Sequence, residues 1–536
     1  MKNIYFALTL FISIQLHSQV NFTDSDLPIV VINTGSLIIV DAYKITADFG
    51  IIYNGPGNRN YLTDPYNYNG KIGIEIRGST SQQYPKKSYG FETRDILGNN
   101  LDTTLLGLPK ENDWILYGAY PDKTLMRNEI TYDIFRRMGH YAAGYKFVEV
   151  ILNGQYKGVY SLMEKIKRDK NRVNIANLLP GDTVGDELTG GYIIKVDKPT
   201  GSSTTTWNSP YNSKVKYLYH DPEDTELNSI QKNYIKNYVI NFENITNGPN
   251  FNNPLSGYPS VIEVNSFIDF MIMQELGRTI DGYRSSSFLY KDKNSKGGLL
   301  KAGPMWDFNL SYGNADYCDA YDTIGYQYNF NLLCGSTFTS NVPFYWKKFL
   351  QDSNFCNKLQ CRWQSLRATV LKDDSINNRI SNAATLLSES KSRNFQQWPI
   401  LGVYVNWNYY VGATYADEIN YLKWWFRARS KWLDLNWPGK CYPDVSIKEI
   451  SGMPAVSWQA FPNPATNFFY IKIQEPFVLR NAKLTIIDAM GRTVSEQEGI
   501  SENELLITRG NLPAGMYYYS LIQNNIRVIR GKVVFE

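Results

Sequence analysis

The hydrophobic pattern of this 536-residue chain changes period twice, and no single architecture accommodates all three patterns. Up to about residue 200 the apolar residues come in short β-branched or aromatic runs. These are Ile29–Asn33, Ser36–Val40, Lys71–Arg77, Ser88–Thr93, Lys146–Leu152 and Gly158–Met163, divided by Gly and Asn turns. Asn153-Gly154 between the last two is a hairpin signal. One helix interrupts them, Asp122 to Met138, with Leu125, Ile130, Ile134 and Phe135 near helical spacing. Asp122 suits its N-cap and Gly139 its C′ position. Residues 200–260 read as polar and loop-rich, with Gly201–Thr206 a flexible insertion. A helix follows, with Ser266 and Asp269 in a capping arrangement, Phe267, Phe270 and Met271 as its apolar face, and Gly277 at its end. Two strand-like segments come next, Ser286–Lys291 and Leu299–Ala302. Further helices are predicted at 343–372, 374–392 and 415–434. The stripe Ile419, Leu422, Trp425 and Phe426 is core packing. After a Pro/Ser/Gly-containing stretch, the runs Phe468–Ile473, Lys483–Asp488, Glu504–Thr508, Met516–Gln523 and Lys532–Phe535 alternate in period two, as in a small β-sandwich. One core seldom grows beyond about 250–300 residues, so these changes mark separate packed units.

The N-terminus is Met1-Lys2-Asn3, then an apolar run from Ile4 to Leu16, then His17-Ser18-Gln19: the pattern of a secretory signal. That run is too short to anchor permanently in a bilayer. No later window holds about 18 continuous apolar residues, so no transmembrane anchor is expected. Lys and Arg number 55 against 51 Asp and Glu, a balance too near neutral for a nucleic-acid binder. The chain has three histidines, and one lies in the leader, which nearly excludes a Ser-His-Asp triad or a multi-histidine zinc site. Any chemistry must come from carboxylates, amides, lysines and arginines. The five cysteines all lie after residue 317 with no CxxC pair, so structural zinc is not expected. In an exported protein one or two disulfides fit, with Cys318–Cys334 and Cys356–Cys361 the shortest loops and one thiol left over.

Several constellations could carry chemistry. Arg77-Gly-Ser-Thr-Ser-Gln82 follows a strand, and its small residues would let backbone N–H groups approach a phosphate; the same residues also make ordinary turns. Lys86 and Lys87 enter the next strand, where a lysine could reach a phosphate or simply be solvated. Arg127 lies in the first turns of the helix, and Glu164 ends a strand in a Glu-Lys-Ile-Lys-Arg run. The sharpest pair is Asp281, in Thr279-Ile-Asp-Gly-Tyr-Arg284, and Asp307, in Gly303-Pro-Met-Trp-Asp-Phe-Asn309. These acids are 26 residues apart with strands between them, and could converge on one cleft. One could accept a hydroxyl proton and the other hold a divalent metal on phosphates. Ser286, Asn309, Ser311 and Asn314 are nearby oxygen donors.

From about Leu27 to Cys441 these motifs resemble the spore-coat protein H (CotH) kinase family, an atypical protein-kinase-like group. Carrying the resemblance are Arg77–Gln82, Lys86-Lys-Ser-Tyr89, Asn112-Asp-Trp-Ile-Leu116, Asp122–Asn128, Val148-Glu-Val150, Gly190-Gly-Tyr-Ile193, Asp281–Arg284 and Gly303–Asn309. The resemblance implies an α+β, two-lobed kinase-like body that binds ATP with Mg²⁺ (or Mn²⁺) and phosphorylates Ser or Thr of an extracytoplasmic protein. On that template Asp281 and Lys87 are catalytic. Arg77, Ser79, Ser81, Lys86, Arg127 and Glu164 serve the nucleotide, and Asp307, Asn309 and Ser286 serve the metal. Two positions depart from the pattern: Ser286 stands where a kinase-type loop has Asn, and Asn309 where the family often has a second Asp. Both weaken the ligand set for Mg²⁺.

The C-terminus resembles the type A sorting domain of the type IX secretion system of Bacteroidota-like bacteria. Phe461-Pro-Asn-Pro464, Leu484–Arg492, Leu512–Tyr517 and Gly531–Val534 carry this second resemblance. It implies Sec export, handling by the type IX machinery, and a secreted or cell-surface location. The implied order is a leader at 1–19, a β-rich nucleotide-binding region at 27–200, a helical region at 201–441, a linker at 442–458 and a small Ig-like sandwich at 459–536. Two other readings compete. One is a catalytically degenerate surface adhesion or glycan-binding protein, suggested by Ser286, Asn309 and an aromatic content of 14%. The other is glycoside hydrolysis by Asp281 with Asp307.

Overall fold

In the computed structural model, seven strands near the N-terminus close on themselves as a barrel. The structure describes residues 20–199, 205–441, 457–474, 477–523 and 526–536, so the predicted leader and most of the predicted linker lie outside the described residues. The chain divides into two units, Met1–Cys441 and Tyr442–Glu536. Among the described residues no helix is long and apolar enough to cross a membrane.

In the first unit a short ribbon pairs β1 (Asp24–Ser25) with β4 (Asn60–Tyr61). The barrel consists of β2 (Ile29–Asn33), β3 (Ile45–Ile52), β5 (Tyr68–Arg77), β6 (Ser88–Arg94), β7 (Asp113–Tyr117), β8 (Tyr145–Leu152) and β9 (Gln155–Glu164). Their order is β2-β3-β5-β6-β7-β9-β8, and β8 closes against β2 in parallel. Closure leaves no open sheet edge. Alternate residues point inward: Ile32, Phe49, Ile74, Phe91, Trp114 and Leu162 fill the interior. The β8–β9 hairpin turns at Asn153-Gly154 as expected. Both residues have positive φ (50° and 72°), which a two-residue turn of this hand requires.

Helix α1 (Arg127–Arg137) lies between β7 and β8. It starts five residues later than predicted. Asp122 still serves its end through space, accepting the Arg127 N–H at 2.8 Å, but the residues between form a turn with Leu125 at positive φ. Gly139 follows the helix at φ +100° as predicted. The segment Ser36–Val40 is not a strand.

A second sheet runs β11 (Thr206–Ser209), β12 (Asn212–Asp221), β10 (Tyr192–Val196), β13 (Ser287–Lys291) and β14 (Leu300–Ala302), all antiparallel. Helices α2 (Ser229–Asn247), α3 (Val264–Gly277), α4 (Phe330–Leu333), α5 (Tyr345–Phe349), α6 (Ser353–Ala368), α7 (Asp373–Leu386), α8 (Ser390–Gln397) and α9 (Tyr415–Asn436) complete the unit. The loop-rich reading of 200–260 is therefore corrected. Two strands and a 19-residue helix occupy it, because Ile235, Val239 and Phe242 share one buried face and Asn228 with Gln231 caps the helix. The single helix expected at 343–372 is broken at Leu350–Asp352, where the Asp352 side chain caps α6. The Cys356–Cys361 loop is also corrected. Both cysteines lie on α6 five residues apart, on different helix faces, and the pairs formed are Cys318–Cys334 and Cys361–Cys441 with Cys356 buried and free.

Helix α3 is buried all round from Ser266 to Gly277, as expected of a helix at the centre of a core. Its Glu275 meets Arg429 of α9, and both side chains are 0% exposed. Helix α8, late in the chain, packs on the barrel: Asn394 Oδ1 accepts from Lys86 Nζ (2.9 Å) and from the Val159 N–H (3.1 Å). In the second unit, sheets β15 (Trp458–Phe461)–β16 (Phe468–Ile473)–β19 (Glu504–Thr508) and β18 (Thr493–Ile500)–β17 (Ala482–Asp488)–β20 (Gly515–Gln523)–β21 (Ile526–Phe535) enclose one apolar core. This is the small all-β sandwich predicted.

Truncating Arg429 to Ala would strand the buried Glu275 carboxylate. We expect a loss of about 3–5 kcal/mol, the usual cost of breaking a buried pair, read from denaturant midpoints at unchanged m-value. A change below about 1 kcal/mol, the level of an exposed pair, would show that the pair is not structurally important.

Candidate functional site

The rim of the barrel and the segments after α3 and β14 come together around a cluster of polar side chains. On the barrel side β5 ends at Arg77, and the chain turns through Gly78 and a single 3₁₀ turn, Thr80–Gln83. Gly78 has φ +107°, and a Cβ there would lie 2.0 Å from Ser81 Oγ, so only glycine allows this close turn. Gln82 Nε2 donates to the Gly78 carbonyl at 2.6 Å, and Lys87 Nζ donates to the Gln82 carbonyl. Ser79 is exposed and Ser81 half-buried on this turn.

On the other side α3 leads into Asp281–Ser286, and the β13–β14 hairpin leads into Gly303–Asn309. Ser286 and Asp307 both have left-handed backbone (φ 46° and 58°), a conformation that costs non-glycine residues about 1–3 kcal/mol each and clusters at functional sites. Ser286 Oγ donates to Asp307 Oδ2 at 2.7 Å. The Phe308 N–H donates to Asn128 Oδ1 of α1 at 2.6 Å, which ties this loop to α1. The Arg77 guanidinium lies 5.7 Å from the Trp306 ring centre. The turn also meets the strand β10 exit, where Lys198 Nζ reaches Thr80 Oγ1 at 3.4 Å.

Burial pushes the Asp307 carboxyl up to about 6. The Ser286 hydroxyl and Arg77 oppose that shift, while the charges of Asp197 and Asp281 reinforce it. Burial also lowers the affinity of the Arg77 guanidinium for its proton, and Asp307 offsets part of this. Asp281 is more open: its side chain is 39% exposed and its Oδ1 accepts from Arg284 Nη2 at 2.6 Å. Asn309 is half-buried, and its carbonyl accepts from Asn314 Nδ2 at 2.7 Å. Thus Arg77, the Ser79–Ser81 turn, Lys87, Ser286 and Asp307 belong to one region, with Asp281 near enough for its charge to act on Asp307.

Three predicted residues are used elsewhere. Lys86 is 2% exposed, and its Nζ donates to the Val159 carbonyl (2.6 Å), Asn394 Oδ1 (2.9 Å) and the Ala119 carbonyl (3.2 Å). Burial lowers its ammonium to about 7. Arg127 is 0% exposed and bonded to Asp122 Oδ1 at 2.6 Å. Glu164 is buried, accepting from the Gly144 N–H (2.7 Å) and the Tyr141 hydroxyl (3.1 Å).

Sequence reasoning missed two acids here. Val196 pairs with Ser287, so the next residue, Asp197, stands beside Ser286. Its signal was an Asp-Lys-Pro stop at a strand end. Glu129 on α1 is buried with its carboxyl pushed up to about 8 by desolvation; Oε1 accepts from the Ser161 hydroxyl and Oε2 has no partner. The buried Tyr117 hydroxyl, whose ionisation Asp307 and Glu129 both oppose, also lacks one.

A family model described as CotH kinase protein matches residues 74–433, and one described as secretion system C-terminal sorting domain matches residues 459–536. No curated protein matches the chain. The first match spans both the barrel-rim turn and the Asp281 and Asp307 segments.

The raised Asp307 carboxyl sets a pH dependence. Between about pH 4 and 6 the unfolded chain has released a proton that the folded chain still holds, so this residue makes stability fall as pH rises through that window. Asp307→Asn should flatten the fall and leave the variant more stable than the parent at pH 7, but not at pH 4, in melts run with a chelator. Parallel pH profiles for the two proteins would refute the assignment.

Proposed function

Because the chain belongs to the CotH kinase protein family, we propose that this site takes ATP with Mg²⁺ or Mn²⁺ and passes the γ-phosphoryl group to a Ser or Thr hydroxyl of an extracytoplasmic protein. The C-terminal domain sends the chain to the type IX secretion machinery, for release or display at the cell surface. On this reading the barrel is the nucleotide-side lobe and the α3-centred part the acceptor-side lobe.

The residues present fit such a group. Asp307, Ser286 and Asn309 offer hard oxygen donors, the kind Mg²⁺ takes. Among the described residues no three His, Cys, Asp or Glu side chains lie close enough together to hold a metal alone. That donor set suits a cation that arrives with substrate phosphates, because Mg²⁺ commonly uses one or two carboxylates and completes its shell with phosphate and water. The buried Tyr117 hydroxyl, near enough to Asp307 for that carboxylate to oppose its ionisation, has no partner and is a spare donor.

When bound, ATP supplies the phosphoryl group and the divalent cation neutralises charge on its oxygens. The chain's own residues position. Asp307 would hold the cation, its loop pinned by Ser286 and Asn128. Arg77, with Lys87 on the turn, would place positive charge and N–H donors beside the phosphates. Asp281, open to solvent on one side, would orient the acceptor hydroxyl and accept its proton. The observation that carries this reading is the Ser286–Asp307 hydrogen bond, which joins the acceptor-side and metal-side loops at 2.7 Å beside Arg77.

A second reading, a degenerate glycan-binding surface protein, is favoured by stacked rings on the surface. Tyr321 and half-exposed Tyr409 stack at 4.0 Å, and Tyr410 and Tyr421 at 4.1 Å. The full chain incubated with γ-labelled ATP and Mg²⁺ or Mn²⁺ decides between them. The kinase reading expects label in protein, a kcat lower by about 10²–10⁴ in Asp281→Asn with nucleotide affinity kept, and no label in Asp307→Ala. Equal label in Asp307→Ala would refute it, and polysaccharide binding without nucleotide binding would establish the other.

A further inference from the structure

Arg284, three residues after Asp281 in the same segment, is 4% exposed. Its guanidinium is held on every side. Nη2 donates to Asp281 Oδ1 (2.6 Å), Nη1 to Ser340 Oγ (2.6 Å) and Nε to the Ile280 carbonyl (3.1 Å). Its faces are covered by Phe330, 4.2 Å from ring centre to guanidinium carbon, and by Phe338 at 5.0 Å. Both rings and Ser340 belong to one excursion of the chain, residues 318–340. Cys318–Cys334 closes the start of that excursion. Lys214 Nζ fixes its far end by donating to the Gly335 (2.7 Å) and Phe338 (3.0 Å) carbonyls. Tyr317, beside the first cysteine, stacks on Phe338 at 5.8 Å.

We propose that Arg284 is the positioning residue for the Asp281 carboxylate, and that the loop crosslinked by Cys318–Cys334 is the clamp that keeps Arg284 in place. The proposal rests on the reading of Asp281 as the group that receives the acceptor hydroxyl. A carboxylate 39% exposed would otherwise rotate freely about its side-chain bonds. Fixing Oδ1 by a rigid fork leaves Oδ2 as the face turned to an arriving hydroxyl. The planar fork matters, because a lysine ammonium could not hold Asp281, Ser340 and the Ile280 carbonyl while lying flat between two rings. Arg284 itself touches no substrate. Positional errors of about 1 Å at a reacting group can cost about 10²-fold in rate, which sets the scale of the expected effect.

The test is a double-mutant cycle on the full chain. Arg284→Lys should lower kcat about 10²-fold while nucleotide affinity stays near that of the parent. In an Asp281→Asn background the same substitution should cost nothing further, because there is no carboxylate left to aim. A residue that merely supports the fold would lower both backgrounds alike. Phe338→Leu, a milder loosening of the clamp, and the Cys318→Ser/Cys334→Ser pair should show the same loss of effect in that background, and they carry the test if Arg284→Lys does not fold. Unchanged kcat in Arg284→Lys, or losses that simply multiply with Asp281→Asn, would overturn the proposal while leaving the kinase reading intact. Absence of phosphoryl transfer by the parent chain would remove both.

Discussion

The Glu275 carboxylate, 0% exposed in the middle of the first unit, organises most of what surrounds the proposed site. It accepts from Arg429 of α9, the Tyr283 hydroxyl, and the N–H groups of Gln327 and Tyr328. A buried charge is tolerated only when its hydrogen-bonding capacity is filled, so these four partners cannot leave independently. Two of them lie in the loop that clamps Arg284, and Tyr283 is its neighbour in the chain. The end of α3, the segment bearing Asp281 and the 318–340 loop are thereby set by one desolvated group.

The two acids of the proposed site differ in their surroundings. Asp307 is half-buried, hydrogen-bonded by Ser286 and near Arg77, and desolvation raises its carboxyl to about 6. Asp281 stays at the surface with one oxygen committed to Arg284. A cation with phosphates would relieve the cost of burying the first acid, and an acceptor arriving from solvent would meet the second. Neither role needs imidazole, which agrees with the scarcity of histidine. His220 instead packs edge-on against Phe288, its Nε2–H donating to the Ile166 carbonyl at 2.9 Å, and desolvation lowers its ring to about 3, so it is neutral.

Much of this was legible in the sequence where a local signal decides the outcome. Short apolar runs and Asn153-Gly154 led to five of the seven barrel strands and the β8–β9 hairpin but missed β3 and β7, and the tail's alternation led to its sandwich. Asp281 was found because it follows a helix ending at Gly277, and Asp307 because it comes just after a strand, the usual setting of functional loops; Ser286 was found as a nearby oxygen donor at a position of the family pattern. What was missed depends on distance along the chain. Closure of β8 on β2 is parallel and non-local, and no short pattern signals it. Lys86 read as a phosphate lysine, but its acceptors include Asn394, more than 300 residues later. Helix α2 was lost because its exposed face is rich in Asn and Lys, which masked the buried Ile235, Val239 and Phe242. Asp197 became visible only when the register of β10 on β13 set it beside Ser286.

We propose that the rim of the barrel and the Asp307 loop together take one nucleotide. Calorimetric titration of ATP into the full chain with Mg²⁺ or Mn²⁺ tests it most directly. Saturable binding that disappears in Asp307→Ala and weakens in Arg77→Ala is the expected result. No binding by the parent chain, or equal affinity in Asp307→Ala, would contradict it.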